Sequence, residues 1–331
     1  MSKIVLKTIL IGLLAAISGL TACASHQQDT VEKDKQVVLL FDSPIAYDAF
    51  SISCMKGAEI AKKQYGIKLT FNEAGTYDEA ANTLKQLAGS GNYDLIISIG
   101  ANQAAEVKKA AAKYTRQKMA SVDGNIADLP NVISLIARDN ESSYLAGALA
   151  AMMTKSGTIG FIGGMDIPSI HRFLAGYQAG AQSIKPECKI LIDYSGNWIN
   201  DGTSKALALQ QIKEGADILF GPAGSGNLGV IEAAKEKGLY ALGVDADQSP
   251  TAPQTVIAST TKNEDSLVYE AISQLVEDRF KGGIVSVGLS EGGVGIAVND
   301  SISAMTPEIR TRLADIEYQI ISGAITVPES N

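Results

Sequence analysis

The residues of this chain that could do chemistry favour holding a molecule over transforming it. Histidine occurs only at His26 and His171, too few for a His-based zinc site or a Ser-His-Asp triad. The run Gly224-Ser225-Gly226-Asn227-Leu228-Gly229 fits G-x-G-x-x-G after a strand-like segment, and Asp245 follows roughly 20 residues on, as in a dinucleotide fingerprint. It stands late in the chain, however, on the third strand of a second series, whereas dinucleotide folds place it in the first strand-to-helix turn. A glycine turn presenting backbone N–H groups to a hydroxyl is the simpler reading. No Gly-Lys-Ser/Thr follows, so a phosphate-binding P-loop does not fit. Aromatic residues make up 6% of the chain, which draws attention to Phe50 and to Trp198, the one tryptophan. They fall in opposite halves, where two ring planes could sandwich a flat ligand at about 1–3 kcal/mol per stacked base. Each could equally cap a local core. Asp245, in Gly-Val-Asp-Ala-Asp-Gln, could accept two hydrogen bonds from a vicinal diol or could cap a turn. No catalytic residues, metal or cofactor are expected.

Such residues need a frame. Short Val- and Ile-rich runs alternate with stretches of helical period, the signature of parallel α/β architecture. Strands are expected at Val37–Phe41, Leu69–Phe71, Leu95–Ile99, Ala120–Val122 and Val132–Ile136. A second series follows a helix at Glu141–Met153, with strands at Thr158–Ile162, Lys189–Ile192, Ile218–Phe220 and Tyr240–Val244. Two similar βα series imply two lobes: residues 37–138 with about 262–290, and residues 139–261 with about 291–331. Ligands of open parallel sheets sit beyond the carboxyl ends of the strands. The polar residues there include Asp42 and Ser43, Asp123, Gly163–Asp166, Tyr194–Trp198, Ala223–Gly226, Asp245, Asp247 and Thr260–Lys262.

Residues 1–22 have a basic start (Lys3, Lys7), an apolar run from Ile9 to Leu20 and small residues before Cys23, the pattern of an export signal. The apolar run is shorter than the roughly 20 residues that a membrane-spanning helix needs. Residues 23–36 follow as a polar tether with little to bury. Cys54 and Cys188 form no disulfide framework and are expected as small buried hydrophobes. A net charge of −8 without a basic cluster argues against nucleic acid as a partner.

Taken in order, Leu20-Thr-Ala-Cys23, Asp123-Gly124, Ser143-Tyr-Leu-Ala-Gly147, Gly160-Phe-Ile-Gly-Gly-Met165 with Pro168 and Phe173, Gly176-Tyr177, Tyr194-Ser-Gly196, Ala223-Gly-Ser-Gly226, Gly243-Val-Asp-Ala-Asp-Gln248 and Ser322-Gly-Ala-Ile-Thr-Val-Pro328 resemble the basic membrane protein family. These are purine-nucleoside receptor lipoproteins of ABC transporters. The resemblance implies a two-lobed periplasmic-binding-protein fold of the ribose-binding type, a lipid on Cys23, an extracytoplasmic place at the cell membrane, a permease partner and a monomeric receptor. It places Phe50 and Trp198 on the faces of the base, and Asp245, Lys262 and Gly224 on the ribose. Asp123 is a further polar contact and Met165 lines the pocket. The loop after the first strand departs from the family, which reads Phe-Asp-x-Gly-Gly and then an acidic or amide pair with Ser-Phe-Asn. Here it is Phe41-Asp42-Ser-Pro-Ile-Ala-Tyr-Asp48-Ala-Phe50-Ser51, so Ser51 stands for an amide, and Asp42 and Asp48 are the acidic candidates. A nucleoside hydrolase, a dehydrogenase or a surface-interaction lipoprotein are the competing classes.

Overall fold

The structure, a computed structural model, describes residues 34–42 and 49–330. The export signal, the tether, the lipidation candidate Cys23 and the site candidate Asp48 lie outside the described residues. The chain runs β1 (Gln36–Phe41), α1 (Ala49–Tyr65), β2 (Lys68–Glu73), α2 (Tyr77–Ser90), β3 (Leu95–Ile99), α3 (Ala104–Lys113), β4 (Lys118–Val122) and β5 (Val132–Ala137). It continues through α4 (Asp139–Met153), β6 (Thr158–Gly163), α5 (Pro168–Ile184), β7 (Lys189–Tyr194), α6 (Asp201–Lys213), β8 (Ile218–Phe220), α7 (Asn227–Glu236), β9 (Tyr240–Gly243) and β10 (Val256–Lys262). Last come α8 (Glu264–Val276), β11 (Gly283–Val287), β12 (Val294–Val298) and α9 (Pro307–Ile321).

These strands form two six-stranded sheets, ordered β11-β5-β4-β3-β1-β2 and β12-β10-β9-β8-β6-β7. The orders match strand for strand, so the second lobe repeats the plan of the first. Every pairing is parallel except that of β10 with β12. The interior strands β3 and β5 are buried throughout, as parallel strands covered on both faces must be. In the first lobe α1 and α8 cover one face and α2 and α3 the other. In the second, α4, α5 and α9 oppose α6 and α7. Cys54 and Cys188 are both buried and are not joined in a disulfide.

Strand β10 goes beyond the sequence-based reading. Its Ser259-Thr260-Thr261-Lys262 run is polar, yet Ser259 and Thr260 are buried because their hydroxyls have partners. The Ser259 hydroxyl accepts from Gln248 N–H and that of Thr260 donates to the Gly243 carbonyl.

Glycine sets the closest helix contacts. A Cβ at Gly147, Gly176 or Gly180 would collide with the backbone carbonyl of Tyr177, Asn140 or Tyr144, so α4 and α5 lie backbone to backbone. Gly57 does the same against Asp265 between α1 and α8. The chain passes between the sheets after β5, after β10 and after β11. Arg138 ties the first passage to the third: its N–H donates to the Val287 carbonyl, and its guanidinium meets Glu141 at 2.6 Å and Glu291 at 2.5 Å.

Candidate binding cleft between the two sheets

A cleft of about 730 Å³, counting the part open to solvent, lies beyond the carboxyl ends of both sheets. Eight of the ten sequence-selected residues line it: Asp42, Phe50, Ser51, Asp123, Trp198, Gly224, Asp245 and Lys262. Asp42 follows β1, Phe50 and Ser51 open α1, and Asp123 follows β4. Trp198 sits in the loop after β7, Gly224 follows β8, Asp245 follows β9, and Lys262 ends β10. Met165 is the one described candidate outside that lining. It follows β6 but is not among the residues that line the cleft, because the chain turns there and Ser169, Ile170 and Phe173 of α5 reach the cavity instead.

Asp123 and Asp245 follow the matching strands of the two lobes, and both adopt left-handed backbone conformations, with φ of 62° and 65°. That conformation costs energy for a residue with a Cβ and is held only where the surroundings dictate it. Each lobe thus aims one carboxylate into the cleft with the same device.

The Trp198 loop is fixed by backbone. The Trp198 carbonyl accepts from the Ser225 hydroxyl at 3.1 Å and from Gly226 N–H at 3.3 Å. Gly164 lies against the indole, where a Cβ would come within 2.5 Å of the ring. The glycine motif therefore has a packing purpose: Gly224 and Gly226 seat the Trp198 loop, while Gly229 lets α7 touch the Asp201 carbonyl of α6. Across the cleft, Asn102 donates to the Asp42 carboxylate at 3.4 Å. Gly100, with φ of 105°, brings the backbone close to the same carboxylate.

Beneath the cavity lies a charge cluster. The Lys262 ammonium is 2.7 Å from Asp123, 3.2 Å from Glu264 and 3.4 Å from Asp139. It also lies 5.1 Å from the ring centre of Phe50 and 5.9 Å from that of Phe173. Arg172 stands 3.7 Å from Asp139 and 3.9 Å from Asp123. Burial works against the charge of Lys262, but Asp123, Asp139, Glu264 and Asp245 outweigh it and hold the ammonium well above its ordinary value. Burial lifts Asp139 to about 6 against the pull of Lys262, and it lifts Glu264 to about 8. Burial thus pushes Glu264 towards its neutral form, beside two cations and the carboxylates of Asp123 and Asp139.

Asp139, Arg172 and Glu264 escaped the sequence reading. Asp139 and Glu264 stand in the first turns of helices, where acidic residues usually complement the helix dipole in solvent. Their one sequence signal is position, at the places where the chain leaves a buried strand. Asn102, Ser169, Ile170 and Phe173 were also missed as cleft residues, and their signal is placement just past a strand or in a helix's first turns.

Residues 34–331 match the Bmp family, described as ABC transporter substrate-binding protein PnrA-like. The chain belongs to this family. It is similar to the ABC transporter nucleoside-binding protein BmpA of Lactococcus lactis subsp. cremoris, 31% identical with 95% of this chain and 96% of the relative covered. Basic membrane protein D of Borreliella burgdorferi is likewise 31% identical, with 93% and 92% covered. Among solved structures, an ABC transporter solute-binding protein from Aeropyrum pernix K1 has a TM-score of 0.79 at 28% identity, with 90% and 94% covered. The Bmp family binds substrates for transport. Among the described residues, no helix is long and apolar enough to cross a membrane.

Proposed function

We propose that this protein captures a nucleoside, with a purine as its base, between its lobes and delivers it to the permease of an ABC transporter. In this reading it acts as a monomer, held on the extracytoplasmic face of the cell membrane by lipid on Cys23. The observation that carries the ligand class is the joint lining of one cleft by Phe50 and Trp198, from different lobes, and by Asp123, Asp245 and Lys262. The two rings take the base. Asp245, Lys262, Asp123 and the Gly224 backbone take the ribose, where carboxylates accept from hydroxyls and the ammonium donates to them. Asp42 and Ser51 face the base edge, and Asn102 joins them through its bond to Asp42.

Charge supports an unphosphorylated ligand. Asp42, Asp123 and Asp245 line the cleft and Lys262 is the lone cation among the lining residues, already neutralised by Asp123. A phosphate brought there would meet net repulsion. The test is a thermal-shift screen against purine and pyrimidine nucleosides, nucleotides, free bases and pentoses. A ligand at 100 times its Kd should add about 2.7 kcal/mol of stability. Stabilisation by inosine or guanosine but not by their monophosphates is expected. Silence from every nucleoside rejects the reading.

A further inference from the structure

We infer that Asp139 is a positioning residue for the ligand's sugar: it touches no ligand itself and acts by holding Lys262, and through Arg172 Asp123, in place at the cleft. The inference rests on the nucleoside reading above. Asp139 is fully buried and is not among the residues that line the cleft, whereas both Lys262 and Asp123 line it. Its two carboxylate oxygens face different cations, Oδ1 towards Lys262 at 3.4 Å and Oδ2 towards Arg172 at 3.7 Å. Arg172 in turn faces the carboxylate oxygen of Asp123 that Lys262 leaves, Oδ1 against Oδ2. The four groups form a closed ring of alternating charge.

The backbone explains why Asp139 suits this task. It is the first residue of α4, directly after the passage from the first sheet, while Lys262 ends β10 at the second passage. Arg172 comes from the first turns of α5, which Gly176 presses against α4 at the Asn140 carbonyl. Asp139 thus sits where α4, α5 and β10 converge, and no long flexible side chain separates it from either cation. The ammonium of Lys262 has three protons. Asp123 takes one at 2.7 Å. Asp139, 3.4 Å away and not hydrogen-bonded to it, acts on the ammonium by charge and so biases where the remaining donors point, and with them the hydroxyl that Lys262 reaches.

The test is Asp139→Asn, which keeps the shape and removes the charge. Calorimetric titration of a purine ribonucleoside and of its free base separates sugar from base. The expected result is a fall of about tenfold in ribonucleoside affinity, the scale of one charge-assisted hydrogen bond, with free-base affinity within about twofold of wild type. Equal losses for both ligands, or no loss for either, would overturn the inference. In ligand-free protein the ¹⁵Nζ resonance of Lys262 should shift in Asp139→Asn, and an unmoved resonance overturns the positioning role. If wild-type protein binds no nucleoside, the ligand class fails, and the Lys262 resonance alone then decides the role of Asp139. Should Asp139→Asn not fold, the charge-balanced pair Asp139→Asn with Arg172→Gln takes its place in the same measurements.

Discussion

The Lys262 ammonium lies 2.7 Å from the Asp123 carboxylate, although Lys262 ends a strand of the second sheet and Asp123 follows a strand of the first. This ion pair joins the lobes across the floor of the cleft, with both side chains nearly buried. Removing one partner of a buried pair leaves the other charge uncompensated. Lys262→Met should therefore lower unfolding free energy by about 3–5 kcal/mol, read by urea denaturation. A change within about 0.5 kcal/mol, as for an ordinary surface position, would contradict this account of the cluster.

Trp198→Ala should weaken nucleoside binding by about 1–3 kcal/mol, the worth of one stacked base. The loop is held through the Trp198 carbonyl, which the substitution keeps, so the melting temperature should change little. Titration calorimetry beside differential scanning calorimetry checks both halves. Unchanged affinity removes the stacking role.

Stability should fall as pH rises from about 4.5 to about 8. Glu264 is lifted by burial to about 8 and Asp139 to about 6, so the folded chain holds more protons than the unfolded chain across this interval. Raising the pH then favours unfolding. Glu264→Gln should flatten the upper part of the decline, between about pH 6 and 8. Glu291 acts in a separate window. The Gly288 N–H, with Ser290 and Arg138, holds it down to about 2, so its contribution is present above its ordinary value and is lost only as pH drops through the acid range. Melting temperatures at several pH values would show whether the slope between about pH 6 and 8 follows Glu264.

Gly176→Ala should destabilise the protein by at least about 1–3 kcal/mol, the cost of overpacking. The added methyl would meet the Asn140 carbonyl and push α5 from α4. Because α5 carries Arg172 and Phe173, ligand affinity should fall together with stability. A variant with wild-type stability would show that the helices separate at no cost.

If Cys23 carries the proposed lipid, Cys23→Ser should move the protein from the membrane fraction to the soluble fraction, because the serine has no thiol to take the acyl chains. Labelling with palmitate and fractionation would read the outcome, and retention in the membrane would point to another anchor.

Much of the frame was legible because apolar runs such as Val37–Phe41 and Leu95–Ile99 admit few alternatives at their length and composition. The cleft followed from topology, since every aligned strand delivers its next residue to the same edge. Strand β10 was harder: buried Ser259 and Thr260 look like surface residues until their backbone partners are known. The charge cluster was harder still, because Asp123 and Asp139, Arg172, and Lys262 with Glu264 come from three separate stretches of sequence and meet only when both lobes are assembled. Met165 is a motif position that the turn after β6 places outside the cleft lining.

The interleaved strand order also bears on how the chain reaches this state. Strand β11 completes the first sheet by pairing with β5, Gly283 against Ile133, and α8 covers the face that α1 leaves open. The first lobe therefore cannot finish its core until most of the second has been made. Closing so wide a loop is slow, and folding should end with the late docking of α8 and β11 instead of proceeding lobe by lobe from the amino terminus.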